Sequence, residues 1–119
     1  GYLWADQDKR LQRARRMIAV AVEADPENSA YQDSLGWAYY RLAQFDQAIE
    51  HLLLAASSSR QDGVILDHLG DAYLANGHAG KAREAWRKAL KLLGQDELEM
   101  RQAVEQKLHK QPATGSISP

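Results

Sequence analysis

The stretch Ser34-Leu35-Gly36-Trp37-Ala38-Tyr39 returns 34 positions later as His68-Leu69-Gly70-Asp71-Ala72-Tyr73, so that Leu35, Gly36, Ala38 and Tyr39 map onto Leu69, Gly70, Ala72 and Tyr73. Self-similarity at a fixed period of this size marks a stack of structural units, each too small to bury its apolar face alone. A second ladder keeps the same step: Ala14, Ala48 and Ala82; Ile18, Leu52 and Trp86; Ala21, Ala55 and Ala89. Small, large and small residues in that order put two notches and a knob on one helical face, which a partner helix can approach closely. Gly36 and Gly70 fall mid-helix, where glycine costs about 1 kcal/mol against alanine, and close helix contact is the reason to keep them there.

The pattern around the ladders is helical throughout. The 15 Lys+Arg and 16 Asp+Glu are interleaved with Ala, Leu and Gln, Phe occurs once, and no alternating β-branched run is present, which predicts an all-α chain. Breaker clusters at Asp25-Pro26-Glu27-Asn28, Ala43-Gln44, Arg60-Gln61-Asp62-Gly63, Asn76-Gly77 and Gly94-Gln95-Asp96 predict helices over 8–24, 28–42, 46–58, 63–75, 79–92 and 96–110, with residues 1–6 the stub of one more. Asn28, Asp62 and Asp96 are placed to accept the free N–H groups of a first helical turn, and Asp96 with Glu99 has capping-box spacing. Gly77 is placed to close a helix in the left-handed region. Short connections make neighbouring helices antiparallel hairpins. In the last helix Met100, Ala103, Val104 and Leu108 form the expected inner stripe, while Glu97, Arg101, Gln102, Glu105 and Gln106 face water. Residues 111–119 hold two prolines, a glycine and one large apolar side chain, and are expected to form a flexible tail.

Composition narrows the function classes. The chain has 119 residues, 45% hydrophobic and 26% charged, with a net charge of -1, which gives no bulk attraction to nucleic acid or anionic lipid. It has no cysteine, which removes disulfides, thiolate nucleophiles and thiolate metal sites. The basic run Lys9, Arg10, Arg13, Arg15 and Arg16 puts Lys9, Arg13 and Arg16 on one helical face; with no aromatic platform beside it, a solvated outer face is the expected reading and nucleic-acid binding is not. HExxH, phosphate-cradling glycine loops and Cys/His spacings are all absent from the sequence. Asp67, His68 and Asp71 fall together on one helix, but an acid–base pair or metal site would need a further ligand or nucleophile. The expectation is a chain that is not an enzyme, with no cofactor and no bound metal.

The repeat resembles the tetratricopeptide repeat, whose signature has W-x2-L-G-x2-Y in the first helix, A-x3-F in the second and a closing proline. Gln32 and Leu66 stand at the Trp position, Leu52 and Trp86 at the Phe position, and of Pro26, Arg60 and Gly94 at the closing position only the first is proline. The resemblance implies a right-handed α-solenoid of antiparallel hairpins, about two and a half repeats plus a cap. Residues 1–28 would be a truncated first repeat, mainly its second helix, with Gly1–Ala5 as the tail of its first; 29–62 and 63–94 would be full repeats, 95–110 a capping helix and 111–119 the tail. The wording around Leu35-Gly36 and Leu69-Gly70 is similar to the C-terminal repeats of larger bacterial tetratricopeptide proteins, several of them exported or lipid-anchored. That likeness implies a piece of a longer chain and a bacterial cell-envelope or periplasmic location, with the cytoplasm as the alternative.

In this family the face of the first helices away from the packing register lines a peptide-binding groove. Here that face carries Asp33, Trp37, Tyr40 and Arg41 in one repeat and Asp67, Asp71 and Leu74 in the next, with His68 flanking it. Residues 25–80 hold eight acids against two bases, so the expected partner is a protein or peptide bringing apolar anchors with Lys or Arg. The alternative is that Trp37 and Tyr40 pack against neighbouring helices and the aspartates are merely solvated. Some relatives clamp a ligand's C-terminal carboxylate with Lys, Arg and Asn on this face; those residues are missing here, and acidic C-terminal peptides are expected not to bind. A second expectation is a structural role: a packing face near Tyr2, Leu3, Trp4, Ile18 and Val22 mediating self-association into a homo-oligomer or continuing a longer solenoid. No direct membrane insertion is expected.

Overall fold

The computed structural model describes residues 2–57 and 62–110, with side chains from residue 6 onward. Among these the chain is all helical: α1 Tyr2–Ala24, α2 Ser29–Arg41, α3 Phe45–Ala56, α4 Gly63–Ala75, α5 Ala79–Leu92 and α6 Leu98–Lys110. Two units divide it, one built from α1–α3 and the other from α4–α6. Each contains one helical hairpin of the α-solenoid type, α2/α3 and α4/α5. The tail at 111–119 and the side chains of Tyr2, Leu3 and Trp4 lie outside the described residues.

Local chemistry starts and stops the hairpins. Asn28 accepts from Tyr31 N at 3.1 Å and Asp62 accepts from Val64 N at 2.8 Å, each from an extended backbone, so both side chains satisfy an otherwise orphaned N–H. α4 ends on Gly77 at φ 85°, with Gly77 N donating to Leu74 O and His78 N to Tyr73 O. This doubly hydrogen-bonded stop is the one for which a left-handed residue is needed. The same pair of bonds closes α2, Ala43 N to Tyr40 O and Gln44 N to Tyr39 O, but here the left-handed residue is Ala43 at φ 60°. The two stops are 34 residues apart, and the earlier one carries a Cβ penalty that the later one avoids.

Two boundary expectations are corrected. Residues 1–6 form no separate stub, since α1 runs unbroken from Tyr2 to Ala24; Gln7 and Asp8, neither Gly nor Pro, provide no break. Asp96 is no N-cap: Gly94–Glu97 form a turn in which Glu97 N donates to Gly94 O, and α6 begins at Leu98.

In the first unit the ladder of α3 is sealed by α2. Ala48 and Leu52 are each 0% exposed, and a methyl group on Gly36 would lie 2.7 Å from Leu52 Cγ and 3.1 Å from the Ala48 carbonyl oxygen. Gln32, at the signature's Trp position, is buried and hydrogen-bonded: its amide N–H donates to Pro26 O and its oxygen accepts from His51 Nδ1–H, both at 2.8 Å. His51 stacks on Tyr39 with centroids 5.5 Å apart. Burial, outweighing the nearby Glu50 charge, lowers its pKa below the usual 6.5.

α1 contributes to the same unit through Arg15, whose guanidinium lies 5.8 Å from the Tyr39 ring centroid. Its own ladder is less covered. Ala14, Ile18 and Ala21 are half-buried, where their counterparts in α3 and α5 are sealed, and Met17 and Val20 are 68% and 65% exposed.

In the second unit Trp86 is the knob. It is 1% exposed, its Nε1–H donates to Asp67 O at 3.3 Å, and a methyl on Gly70 would lie 2.7 Å from Trp86 Cε2. Ala82, Ala89, Leu93 and Val104 complete the core, with Leu66, Leu74, Met100 and Leu108 packed against it. The inner stripe of α6 thus holds at Met100, Val104 and Leu108; Ala103 is exposed. Arg101, expected to face water, is half-buried and donates from Nη1 to Leu90 O at 2.7 Å and Leu93 O at 2.8 Å. Its guanidinium caps the carbonyls left over at the end of α5, where the chain turns out through an extended Leu93.

Candidate interaction surface

The first unit holds four of the eight residues singled out in the sequence. Trp37 and Tyr40 are three apart on α2, which brings side chains to one patch of helix surface. Their rings stack with centroids 4.6 Å apart and planes 10° from parallel. Tyr40 also meets Phe45, the first residue of α3, at 5.7 Å and 58°. The aromatic pair is therefore a braced platform, with Phe45 as its support. Asp33, one turn earlier, is half-buried, and Arg41 is exposed in the last turn, where a cation complements the helix dipole.

The other four residues sit in the second unit, where part of the expectation is corrected. Asp67 and Asp71 are one turn apart on α4, and neither is merely solvated: Lys107 Nζ of α6 lies 2.8 Å from Asp67 Oδ1 and 3.0 Å from Asp71 Oδ1. Asp67 is only 7% exposed. One ammonium serves two carboxylates. Burial opposes the Lys107 charge, yet the hydrogen bonds of Asp67 and Asp71 outweigh it and raise the lysine above its ordinary value. Burial likewise raises Asp71 above the ordinary carboxylate range, with Lys107 offsetting only part of the effect. A basic ligand at this pair would have to displace Lys107. Leu74, also expected in the groove, packs on the Trp86 core, because it lies one turn on from Gly70, which faces Trp86. His68 is half-buried beside this pair.

Lys107 and Arg101 escape sequence reasoning for the same reason. Both sit outside the inner stripe read for α6, and their partners are 36 to 40 and 8 to 11 residues away, beyond any local periodicity. Among the described residues no group of three or more His, Cys, Asp or Glu could hold a metal ion, and no helix is long and apolar enough to cross a membrane. Of the basic run, Lys9, Arg10, Arg13 and Arg16 are exposed and Arg10 pairs with Asp6 at 3.3 Å.

Comparisons with known proteins agree with this architecture. A TPR repeat-containing protein of Pseudomonas aeruginosa, PA4667, is 37% identical over 71 residues, 60% of this chain and 12% of its own length. The solved structure of MamA AMB-1 superposes with a TM-score of 0.65 at 26% identity, covering 72% of this chain and 51% of that one. The chain thus spans about an eighth of the first relative and about half of the second. Tetratricopeptide repeat proteins of this kind point to a role in protein–protein interaction or scaffolding. The tetratricopeptide repeat-like domain profile matches residues 7–111, and with the 34-residue ladder and the glycine-sealed hairpins this places the chain in the tetratricopeptide repeat-like family.

Proposed function

We propose that the chain is an interaction scaffold that grips a peptide segment or partner protein on α2, without chemistry of its own. The observation carrying this reading is the stacked Trp37–Tyr40 pair braced by Phe45. A preorganised aromatic platform loses little side-chain entropy on binding, which is why Trp and Tyr anchor interfaces. Asp33 and Arg41 flank it, and the partner it fits brings an apolar anchor with a basic residue for Asp33. Asp67, His68, Asp71 and Leu74 take a lesser part, because Lys107 and the core already engage three of them. The repeat units in this reading are 29–62 and 63–94, with 95–110 as the cap. The test is affinity capture from the source cell with the wild-type chain beside Trp37→Ala. Loss of the captured partner at unchanged helicity supports the reading, and recovery of the same partners removes it.

A second reading, self-association or continuation of the solenoid through α1, is favoured by the 68% and 65% exposure of Met17 and Val20 beside a half-buried Ile18. Light scattering across a concentration series separates the two: a strict monomer at high concentration ends self-association for this chain.

A further inference from the structure

We propose a second docking surface, independent of α2: the open groove between α4 and the first turns of α6, which takes a polypeptide segment with one apolar side chain flanked by lysine or arginine. The groove encloses about 760 Å³, room for one large side chain and its neighbours. Its apolar lining is Leu98, Met100 and Ala103. Leu98 is 58% exposed and Ala103 is exposed, so apolar surface is held out to solvent on a helix whose other apolar side chains are partly or wholly buried.

The charge around that lining has one sign. Asp96, Glu97 and Glu99 stand on the rim and Asp67 on the α4 wall. Asp67 is mostly buried and is already held, with Asp71, by the Lys107 ammonium, so the charge presented to a ligand is that of the exposed rim acids Asp96, Glu97 and Glu99. Arg101, on the same helix, is committed to the Leu90 and Leu93 carbonyls. An apolar floor with an acidic rim is complementary to a basic, singly anchored segment and repels an acidic one. The acids also serve the dipole of α6, but that role calls for no exposed leucine among them.

The probe is the synthetic peptide acetyl-Lys-Leu-Lys-Lys-amide, titrated into the full chain and followed by backbone amide NMR, with acetyl-Glu-Leu-Glu-Glu-amide as its counterpart. Saturable shifts at Leu98, Met100 and Ala103 are expected for the basic peptide only, weakening with added salt. Asp96→Asn with Glu99→Gln is expected to weaken binding about three- to tenfold, two rim charges at the modest strength of exposed pairs. Leu98→Gln, at a position whose exposure spares the fold, is expected to weaken it at least as much and serves if the charge variant frays α6. Trp37→Ala is expected to leave it unchanged, which keeps this surface separate from the one on α2. Equal shifts with the acidic peptide, no saturation at these residues, insensitivity to both groove variants, or loss in Trp37→Ala would each overturn the proposal.

Discussion

Replacing Gly70 by alanine sets two effects of opposite sign against each other. In an isolated helix the change would stabilise by about 1 kcal/mol, since glycine is the poorer helix former. In this chain the added methyl would lie 2.5 Å from Trp86 Cδ1 and 2.7 Å from Cε2, about 1 Å inside the contact distance of two carbons. The indole has nowhere to go: it is 1% exposed and tied through Nε1–H to the Asp67 carbonyl. Overpacking of this kind costs about 1–3 kcal/mol, and the displaced hydrogen bond adds about 1. Gly70→Ala should therefore destabilise by about 1–3 kcal/mol, lowering Tm by roughly 4 °C per kcal/mol for a chain of this size. Gly36→Ala should cost less, because the atoms it meets first belong to the more pliable Leu52 side chain. Urea unfolding followed by circular dichroism measures both. In a cycle with Trp86→Leu, the smaller side chain should cost at least about 1 kcal/mol less when alanine already occupies position 70. A neutral or stabilising Gly70→Ala, or strict additivity in the cycle, would show that packing against Trp86 is not why the glycine is there.

Ala43→Gly should stabilise by about 0.5–1 kcal/mol, because relief of a left-handed alanine, about 1–2 kcal/mol, exceeds the added flexibility of the unfolded chain; a higher urea midpoint is the readout, and a lower one refutes it. His51, whose folded pKa lies below the usual 6.5, binds protons more readily in the unfolded chain. Stability should accordingly be fully present above about pH 6.5, fall as the pH drops through that value and level off below the folded pKa. Urea midpoints at about pH 7.5 and 5.5 should show that slope in the wild type and a shallower one in His51→Gln.

The fold was legible wherever a residue's role is repeated or local. Leu35-Gly36, its echo, and the Ala/large/Ala ladder announce a hairpin register because the copies in α3 and α5 pack the same way, and Asn28, Asp62 and Gly77 act within three residues of themselves. Asp96 misled because its capping-box spacing competes with a Gly94 turn that uses the same residues. The unbroken start of α1 was missed because a truncated repeat implied a break that no residue there enforces. At the candidate surface, the spacing of Trp37 and Tyr40 placed them on one patch, but the Phe45 brace depends on the turn between α2 and α3. The acids of α4 were identified and their state was not: an aspartate's partner on another helix leaves no trace in the pattern of its own.

The Lys107 bridge has a consequence for the order in which the second unit assembles. The α4/α5 hairpin closes over a three-residue link, whereas Lys107 must find Asp67 across 40 positions and Asp71 across 36. Loop closure over such a span is entropically costly until the hairpin exists to receive it. The docking of α6 is thus expected late on the folding path and its release early on the way out. Contacts made by Lys107 and Arg101 should then act mainly on the unfolding rate, together with Val104, which leaves the Trp86 core when α6 opens.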